Sequence, residues 1–600
     1  MSQQELEKLS CRSRQRVLAL VLGLGVLIAL WRLGSTGVVD ETPPLFAAAG
    51  RAMAETGDWL TPRVNGLPRY DKPPLIYWLM GLGFAIPGQG AWDPLGTWSA
   101  RLPSALSCIA VMLGLADTLL RWPQENDAHP RATAVAAPLV FALSPLVLIW
   151  SRTAVSDGLL CALLSLSLLL QWRRFADPDH QRWFSAWIVL GLAVLAKGPV
   201  AVVLSGLTLL LFGLLRQQLG LLWQRLRPLP GLLITALISL PWYVAELLVE
   251  GQPFWDSFFG YHNLQRFTSV VNDHLQPWWF FLPVMAVAAI PFTAYLLVAL
   301  VQRAYRTTEP QHSLQQYAAC WLLAVFLFFT TAATKLPSYW LPATPAAALL
   351  ITLALRRRTR AVNLARGCTL LVLTGLAFGF WQSGLWIPSI RDPEMPSLAV
   401  DLLSSGLVHR AAICVFAAVL IGLITWRRTP VQGLLAMQAP LLLFHLTALV
   451  PIAQLADQLR QQPVRGVARQ MLEHQRPGEP LAMIGAMKPS LHFYTNQVIV
   501  YEGRSDGALV NLADRLSHER RRGWVGRPPG SDQAASSVLV AIDRGTVKQP
   551  HWQDLAPEVL GHHGIYQLWR VNRDALQGRA DALMDEGVEA DWDEPRPERY

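Results

Sequence analysis

Apolar residues run along this chain in long blocks separated by short polar stretches. The blocks predict membrane-spanning helices at 17–31, 95–120, 133–150, 156–171, 183–198, 200–215, 230–249, 278–300, 314–332, 338–355, 365–386, 409–426 and 431–450. That is thirteen spans, although several fall short of the roughly 20 residues a bilayer requires. The first, Val17 to Trp31, follows Lys8, Arg12, Arg14 and Arg16. It reads as an uncleaved anchor, because no small-x-small cleavage pattern follows it. One polar stretch stands out against this background, from Val38 to Tyr77. Within it Thr42 can cap a helix, Pro43 suits a first turn, and Ala47 to Glu55 favours helix up to a stop at Gly57. Leu45, Phe46, Ala49 and Met53 form one apolar side, which predicts a helix along the membrane surface.

Basic residues set the expected topology. With the N-terminus cytoplasmic, the inside loops hold Arg121/Arg131, Arg173/Arg174/Arg182, Arg216/Arg225/Arg227, Arg303/Arg306, Arg356/Arg357/Arg358/Arg360 and Arg427/Arg428. Short outside loops hold one basic residue or none, which is the positive-inside pattern. The unusual charges at span ends then fall on the outer side: Asp40, Glu41, Lys72, Asp157, Lys197, Arg266 and Lys335, with His262 beside Arg266. Ionisable groups next to hydrocarbon are costly and mark function by default. They predict one polar cavity at the outer boundary.

After Pro451 the pattern changes. PLAMIGAM, LHFYTNQVIVYEG, SSVLVAIDRG and GIYQLWRV read as strands; ARQMLEHQ and LVNLADRLSHERRR read as helices. The expected division is a membrane domain at 1–456, with an external loop and juxtamembrane helices at 34–94, and an extracytoplasmic α/β domain at 457–600 ending in a disordered acidic tail from Ala580. Thirteen spans place that domain outside.

Composition agrees with a membrane class: 52% of residues are hydrophobic and 16% charged, against about 25% charged in soluble domains. The net charge of +9 comes from arginine clusters between apolar runs, which suits cytoplasmic loops and excludes a nucleic-acid footprint. Five of the six cysteines lie in apolar runs, so a disulfide framework is not expected.

The candidate chemistry follows from the outer charges. Asp40 and Glu41 precede a helix N-terminus, where carboxylates stay ionised, and Asp40 can accept a proton. Lys72, Lys197 and Lys335 each precede a proline by one or two residues at an outer span end, a placement suited to a lipid phosphate. His262 and Arg266 share one face if their segment is helical. With Asp71 or Asp273, His262 is a candidate ligand for a divalent metal.

In order along the chain stand the Asp-Glu pair, GDWLTPRVNGLPRYDKPPLIYW, SRTAVSDG, LAKGP, HNLQRF, HLQPWWFFLPV and TKLPSYWLP. Over roughly residues 15–450 this set resembles bacterial aminoarabinose transferases and their relatives among the protein O-mannosyltransferases, which have the GT-C fold. The resemblance implies an all-α polytopic membrane protein of the bacterial inner membrane. It also implies inverting transfer of a sugar from a polyprenyl phosphate to a lipid, glycan or protein acceptor at the outer face. Asp40 matches the catalytic aspartate and Lys72 the lysine on the donor phosphate. Glu41, Asp157, Lys197, Arg266, Lys335 and Tyr339 become substrate-binding candidates. The family commonly has Glu before the lysine, where this chain has Asp71, and that Glu is associated with metal. The alternative from a different class is a transporter of lipid-linked sugar that performs no chemistry.

Overall fold

The computed structural model describes residues 3–179, 181–270, 275–302, 309–522 and 535–592. Among them, eight helices are long and apolar enough to cross a membrane: Arg12–Leu30, Thr97–Arg121, Ser156–Ala176, Pro228–Glu250, Leu314–Thr331, Arg360–Trp381, Leu407–Arg427 and Pro430–Arg460. Five expected spans are shorter or broken. The segments at 183–198 and 200–215 are the short helices Ser185–Lys197 and Val200–Arg216. The segment at 133–150 breaks at Leu143 and Ser144, and Pro145 opens the next helix. The segment at 338–355 begins as the 3-10 turn Pro337–Ala343. The segment at 278–300 is the pair Phe281–Ala288 and Thr293–Val301, bent by 116°. Proline explains the breaks at Pro145 and Pro291, since it removes a donor and clashes with the preceding turn. Eight of the thirteen expected spans are thus long helices and a ninth is the bent pair, with the shorter helices packed among them. Arg303, Arg306 and Asp273 lie outside the described residues.

The helix Thr97–Arg121 packs on Ser156–Ala176 and on the N-terminal helix Gln3–Leu30. At one end Arg14, Arg121 and Arg173 converge on Asp117. At the other end of Ser156–Ala176 lies Asp157. The five cysteines with described side chains are unbridged.

The C-terminal region holds a five-stranded sheet: β1 (Leu481–Ile484), β2 (Ile499–Glu502), β3 (Ser537–Asp543), β4 (Glu558–His563) and β5 (Tyr566–Asn572). Its order is β2-β1-β3-β5-β4. β1 runs parallel to β2 and β3, while β3–β5 and β5–β4 are antiparallel. Successive side chains of β1 and β3 alternate between faces. Ala482, Ile484, Val538, Val540 and Ile542 pack beneath helices Gly507–Arg522 and Arg573–Asp585. Leu481, Met483, Leu539 and Ala541 pack against helix Gln462–His474 on the opposite face.

Three expectations change here. Of LHFYTNQVIVYEG only Ile499–Glu502 pairs as strand, and its start belongs to the helix Ser490–Thr495. β4 carried no expectation. The tail from Ala580 continues as helix to Asp585, with Ala580 and Leu583 buried, and the Trp592 indole then donates to Asp514 at 2.7 Å. The last long helix runs to Arg460, across the expected domain boundary at 456–457.

Candidate active site

The stretch from Val38 to Tyr77 is folded in, not laid out on a surface. Its helix starts at Thr42 itself, with Glu41 as N-cap and no side-chain cap, and stops at Gly57 in the left-handed region (φ 76°). Pro44 through Gly50 and Met53 are buried, so this helix is a core element and not the surface helix expected. A two-residue hairpin follows, Arg63–Val64 against Leu67–Pro68. Its turn is Asn65-Gly66, both at positive φ as a type I′ turn requires. Asn65 exchanges hydrogen bonds with the Ile499 backbone at 2.7 and 2.8 Å, and its own N–H donates to His492 Nε2 at 2.9 Å. The hairpin tip is thereby sewn to the C-terminal sheet.

Arg69 leaves this hairpin and meets Asp71, Nη2 to Oδ2 at 2.6 Å. The Tyr77 hydroxyl donates to Asp71 Oδ1 at 2.9 Å. Pro73 and Pro74 then open the helix Leu75–Phe84 and fix Lys72 at its entrance. The Lys72 ammonium donates to the Asp71 carbonyl at 2.7 Å.

Two helices deliver the next pair. Asp157 stands in the first turn of Ser156–Ala176 and Lys197 is the last residue of Ser185–Lys197, with Nζ and Oδ1 2.8 Å apart. Gly198 then takes φ 93°, which lets the chain turn away at once. The Lys197 ammonium also lies over the Tyr339 ring, 5.4 Å from its centroid. The loop at 250–277 supplies His262 from a π-helix, Trp255–Gln265, and Arg266 from the short α-helix Arg266–Thr268 that follows it, so a wide turn separates the two where one helical face was expected. Backbone bonds from Ala333 to Phe267 and from Thr334 to Arg266 tie this segment to the one carrying Tyr339.

All these groups meet at one cavity of about 1260 Å³, lined by Asp40, Glu41, Asp71, Lys72, Asp157, Lys197, His262, Arg266 and Tyr339. Arg69 joins them; the sequence reading passed over it, although it sits two residues before Asp71. Much of the remaining wall is apolar, including Ile149, Leu160, Val200, Phe328 and Phe329. The four cations Arg69, Lys72, Lys197 and Arg266 share this wall with four carboxylates, Asp40, Glu41, Asp71 and Asp157, so the formal charges balance. Burial lowers Lys72 most, Asp71 opposes that, and Arg266, Lys197 and Arg69 add to the lowering; the ammonium ends at about 8. Asp71 goes the other way. Burial raises it, but Arg69 and Lys72 outweigh burial and hold it well below the usual carboxylate range.

Asp40 has a different setting. Burial pushes its carboxyl up to about 6, against the pull of two hydrogen bonds from Ser490 and the charge of Lys488. Glu41 beside it is exposed.

Among the described site candidates, Lys335 is the one that the structure keeps out of the cavity wall. Thr334 and Leu336 line the cavity, and the extended backbone between them turns Lys335 the other way. It is 7% exposed and its ammonium donates to the Ala332 carbonyl at 2.7 Å. Lys335→Met is therefore expected to leave affinity for a polyprenyl phosphate within about threefold of wild type, against a loss of about tenfold for Lys197→Met, where a lining charge goes. Equilibrium binding of undecaprenyl phosphate to both variants checks this.

Two family models match the chain. One, described as dolichyl-phosphate-mannose-protein mannosyltransferase, covers residues 71–244. The other, cyanobacterial RgtA-type glycosyltransferase C-terminal domain, covers residues 474–587. The chain is 31% identical over 386 residues to an undecaprenyl phosphate-alpha-4-amino-4-deoxy-L-arabinose arabinosyl transferase of Pseudomonas paraeruginosa, covering 61% of this chain and 66% of that one. It is 31% identical over 385 residues to the protein of the same description from Pseudomonas aeruginosa, covering 62% and 66%. These alignments span just under two thirds of the relatives' own length. The structure superposes on the crystal structure of ArnT from Cupriavidus metallidurans bound to undecaprenyl phosphate with a TM-score of 0.74, at 22% identity, covering 92% of this chain and 97% of that one. The chain shares the fold of that structure. Its fold is the GT-C fold with a small C-terminal sheet domain, and it is a multi-pass protein of the bacterial inner membrane.

Of the expected metal ligands, Asp71 and His262 both line the cavity, and Asp273 lies outside the described residues. Both Asp71 oxygens are engaged, by Arg69 and Tyr77. Among the described residues no group of three or more His, Cys, Asp or Glu side chains is gathered to hold one. His262 stays neutral: burial, with Lys72 and Arg266 repelling and Asp71 opposing, pushes its imidazole down to about 3.

Proposed function

We propose that this protein transfers a sugar from an undecaprenyl-phosphate donor to an acceptor hydroxyl, with inversion, at the outer face of the membrane. The carrying observation is that one cavity joins a carboxylate, a cationic cluster and an apolar wall. The apolar wall suits the polyprenyl chain. Lys72, Lys197, Arg266 and Arg69 suit the phosphate, with Tyr339 and Asp157 orienting Lys197. In the reaction the acceptor oxygen attacks the anomeric carbon while the carbon–oxygen bond to phosphate breaks. Asp40 takes the acceptor's proton, and the electron pair leaves on the phosphate, where the cations stabilise it. Glu41, exposed beside Asp40, faces the incoming acceptor.

The outer-face assignment rests on the helix Ser156–Ala176. Its Arg173 end clusters with Arg14 and Arg121, and its Asp157 end opens on the cavity. An arginine-rich end belongs in the cytoplasm, so the N-terminus is cytoplasmic and the cavity is outside. The sheet domain is then extracytoplasmic, joined to the membrane domain by the last long helix, which runs through the expected 456–457 boundary to Arg460.

The relatives' description names the donor to try first, undecaprenyl phosphate-α-4-amino-4-deoxy-L-arabinose. Mass spectrometry of lipids and glycans from cells with and without this protein tests the reading. The expected result is an acceptor that gains one sugar only when the protein is present. A transporter would move the donor without consuming it, so unchanged acceptor masses with relocated donor would overturn the proposal.

A further inference from the structure

Asp40 is held by a residue 450 positions further along the chain. The Ser490 backbone N–H donates to Oδ1 at 2.8 Å and the Ser490 hydroxyl donates to Oδ2 at 2.7 Å. One residue thus grips both oxygens and sets the plane of the carboxylate. Each oxygen keeps a further lone pair for another donor. Ser490 is itself fully buried. It ends the short loop that leaves β1, and that loop is pinned on the way. Lys488 is 3% exposed and its ammonium donates to Glu394 at 2.7 Å. Arg460 holds the second oxygen of Glu394 at 2.7 Å, and the Tyr501 hydroxyl donates to the Lys488 carbonyl at 3.1 Å. The Asp40 side is pinned as well. Gly37 N–H donates to Asp457 at 2.6 Å and Val38 N–H donates to the Tyr494 hydroxyl at 2.8 Å. Both ends of the clamp are therefore fixed before substrate arrives.

We propose that Ser490 is a positioning residue for the transfer reaction, so that the C-terminal domain completes the active site by orienting Asp40. This rests on the reading of Asp40 as the base. A carboxylate fixed in this way presents its remaining lone pairs in one direction, which proton abstraction from a bound hydroxyl demands. The hydroxyl also stabilises the ionised form, because a donor to a carboxylate favours the charge. The other titratable groups facing Asp40 are Lys488, already paired with Glu394, and the phenols of Tyr501 and Tyr566, which burial keeps neutral. Ser490 is thus a neighbour whose removal changes the ionisation of Asp40 without removing a charge; the Gln461 side chain, also uncharged, acts in the same direction and stays in place.

The test uses the purified full chain, undecaprenyl phosphate-α-4-amino-4-deoxy-L-arabinose as donor and a bacterial lipid extract as acceptor, with kcat and donor KM followed against pH. Ser490→Ala should move the acid limb of kcat upward by about one pH unit, a loss of roughly tenfold below the limb, with donor KM unchanged. Ser490→Cys fills the space with a weak donor and should move the limb in the same direction. Ser490→Thr restores a hydroxyl and should return the limb to its wild-type position. An unmoved limb in Ser490→Ala and Ser490→Cys would overturn the inference, as would equal shifts in all three variants. Asp40→Asn run alongside separates the two readings. If it is inactive while the limbs stay put, the clamp alone is wrong; if it is active, the base assignment fails and takes the clamp with it.

Discussion

Asp40→Asn is expected to lower transfer at least a hundredfold while the protein stays folded and inserted. General-base catalysis contributes about 10²–10⁴-fold, and an amide cannot take the proton. The substitution is close to isosteric, and the clamp can survive it. The amide oxygen can still accept from the Ser490 N–H, and the amide N–H₂ can donate to the Ser490 hydroxyl, reversing one bond of the native pair. The loss should therefore sit in kcat, with donor affinity and the thermal midpoint close to wild type. Wild-type transfer by purified Asp40→Asn would end the catalytic assignment. The native enzyme should show the same group in its pH dependence. Burial raises the Asp40 carboxyl to about 6, so the base form is lost as pH falls through that value. The rate should then fall tenfold per pH unit below it. Asp40→Asn should keep only a small residual rate without that limb.

The charged half of the site was legible in the sequence because charge is conspicuous in an apolar chain. Asp40, Lys72, Asp157, Lys197 and Arg266 each interrupt the hydrophobic pattern near the end of a predicted helix, and all five line one cavity. The same logic misled at Lys335. Its position at a span end was right, but direction in an extended segment depends on alternation, and Lys335 faces away from its lining neighbours. Counting apolar runs also had a limit, because a run does not report a break within it: the bend of 116° around Ala289 to Phe292 leaves hydrophobicity intact. The helix Ser490–Thr495 was missed because its aromatics favour strand, and packing on the helix Thr42–Thr56 overrode that preference. Ser490 was beyond reach for another reason. A hydrogen bond across 450 residues leaves no periodicity and no local motif. What the sequence offered was a carboxylate in need of orientation; the group that orients it came from the domain that seemed furthest from the chemistry.

Lys72→Ala should raise the dissociation constant for undecaprenyl phosphate by about 10–100-fold. A charge-assisted hydrogen bond to phosphate is worth about 1.5–3 kcal/mol, and each 1.4 kcal/mol is tenfold. The residue is well placed for that role. Its side chain is 15% exposed, it lines the cavity, and Pro73 and Pro74 hold its backbone. It is also a cation whose charge is conditional. Burial and the neighbouring cations bring its ammonium down to about 8. An ammonium with a lowered value is charged below that pH and neutral above it. Bound phosphate favours the charged form, so binding takes up a proton once pH exceeds about 8. Affinity of the wild-type protein should then weaken as pH rises, by up to tenfold per unit. Lys72→Ala has no such proton to take up, so its weaker affinity should be flat over the same range. Lys72→Arg keeps a charge that does not titrate and should also be flat, with affinity between the other two because the planar guanidinium does not reproduce the compact ammonium. Titrations of undecaprenyl phosphate at pH 7, 8 and 9 on the three proteins distinguish these outcomes. If Lys72→Ala retains the wild-type slope, the titrating group is elsewhere, and the phosphate belongs to Lys197 or Arg266 instead.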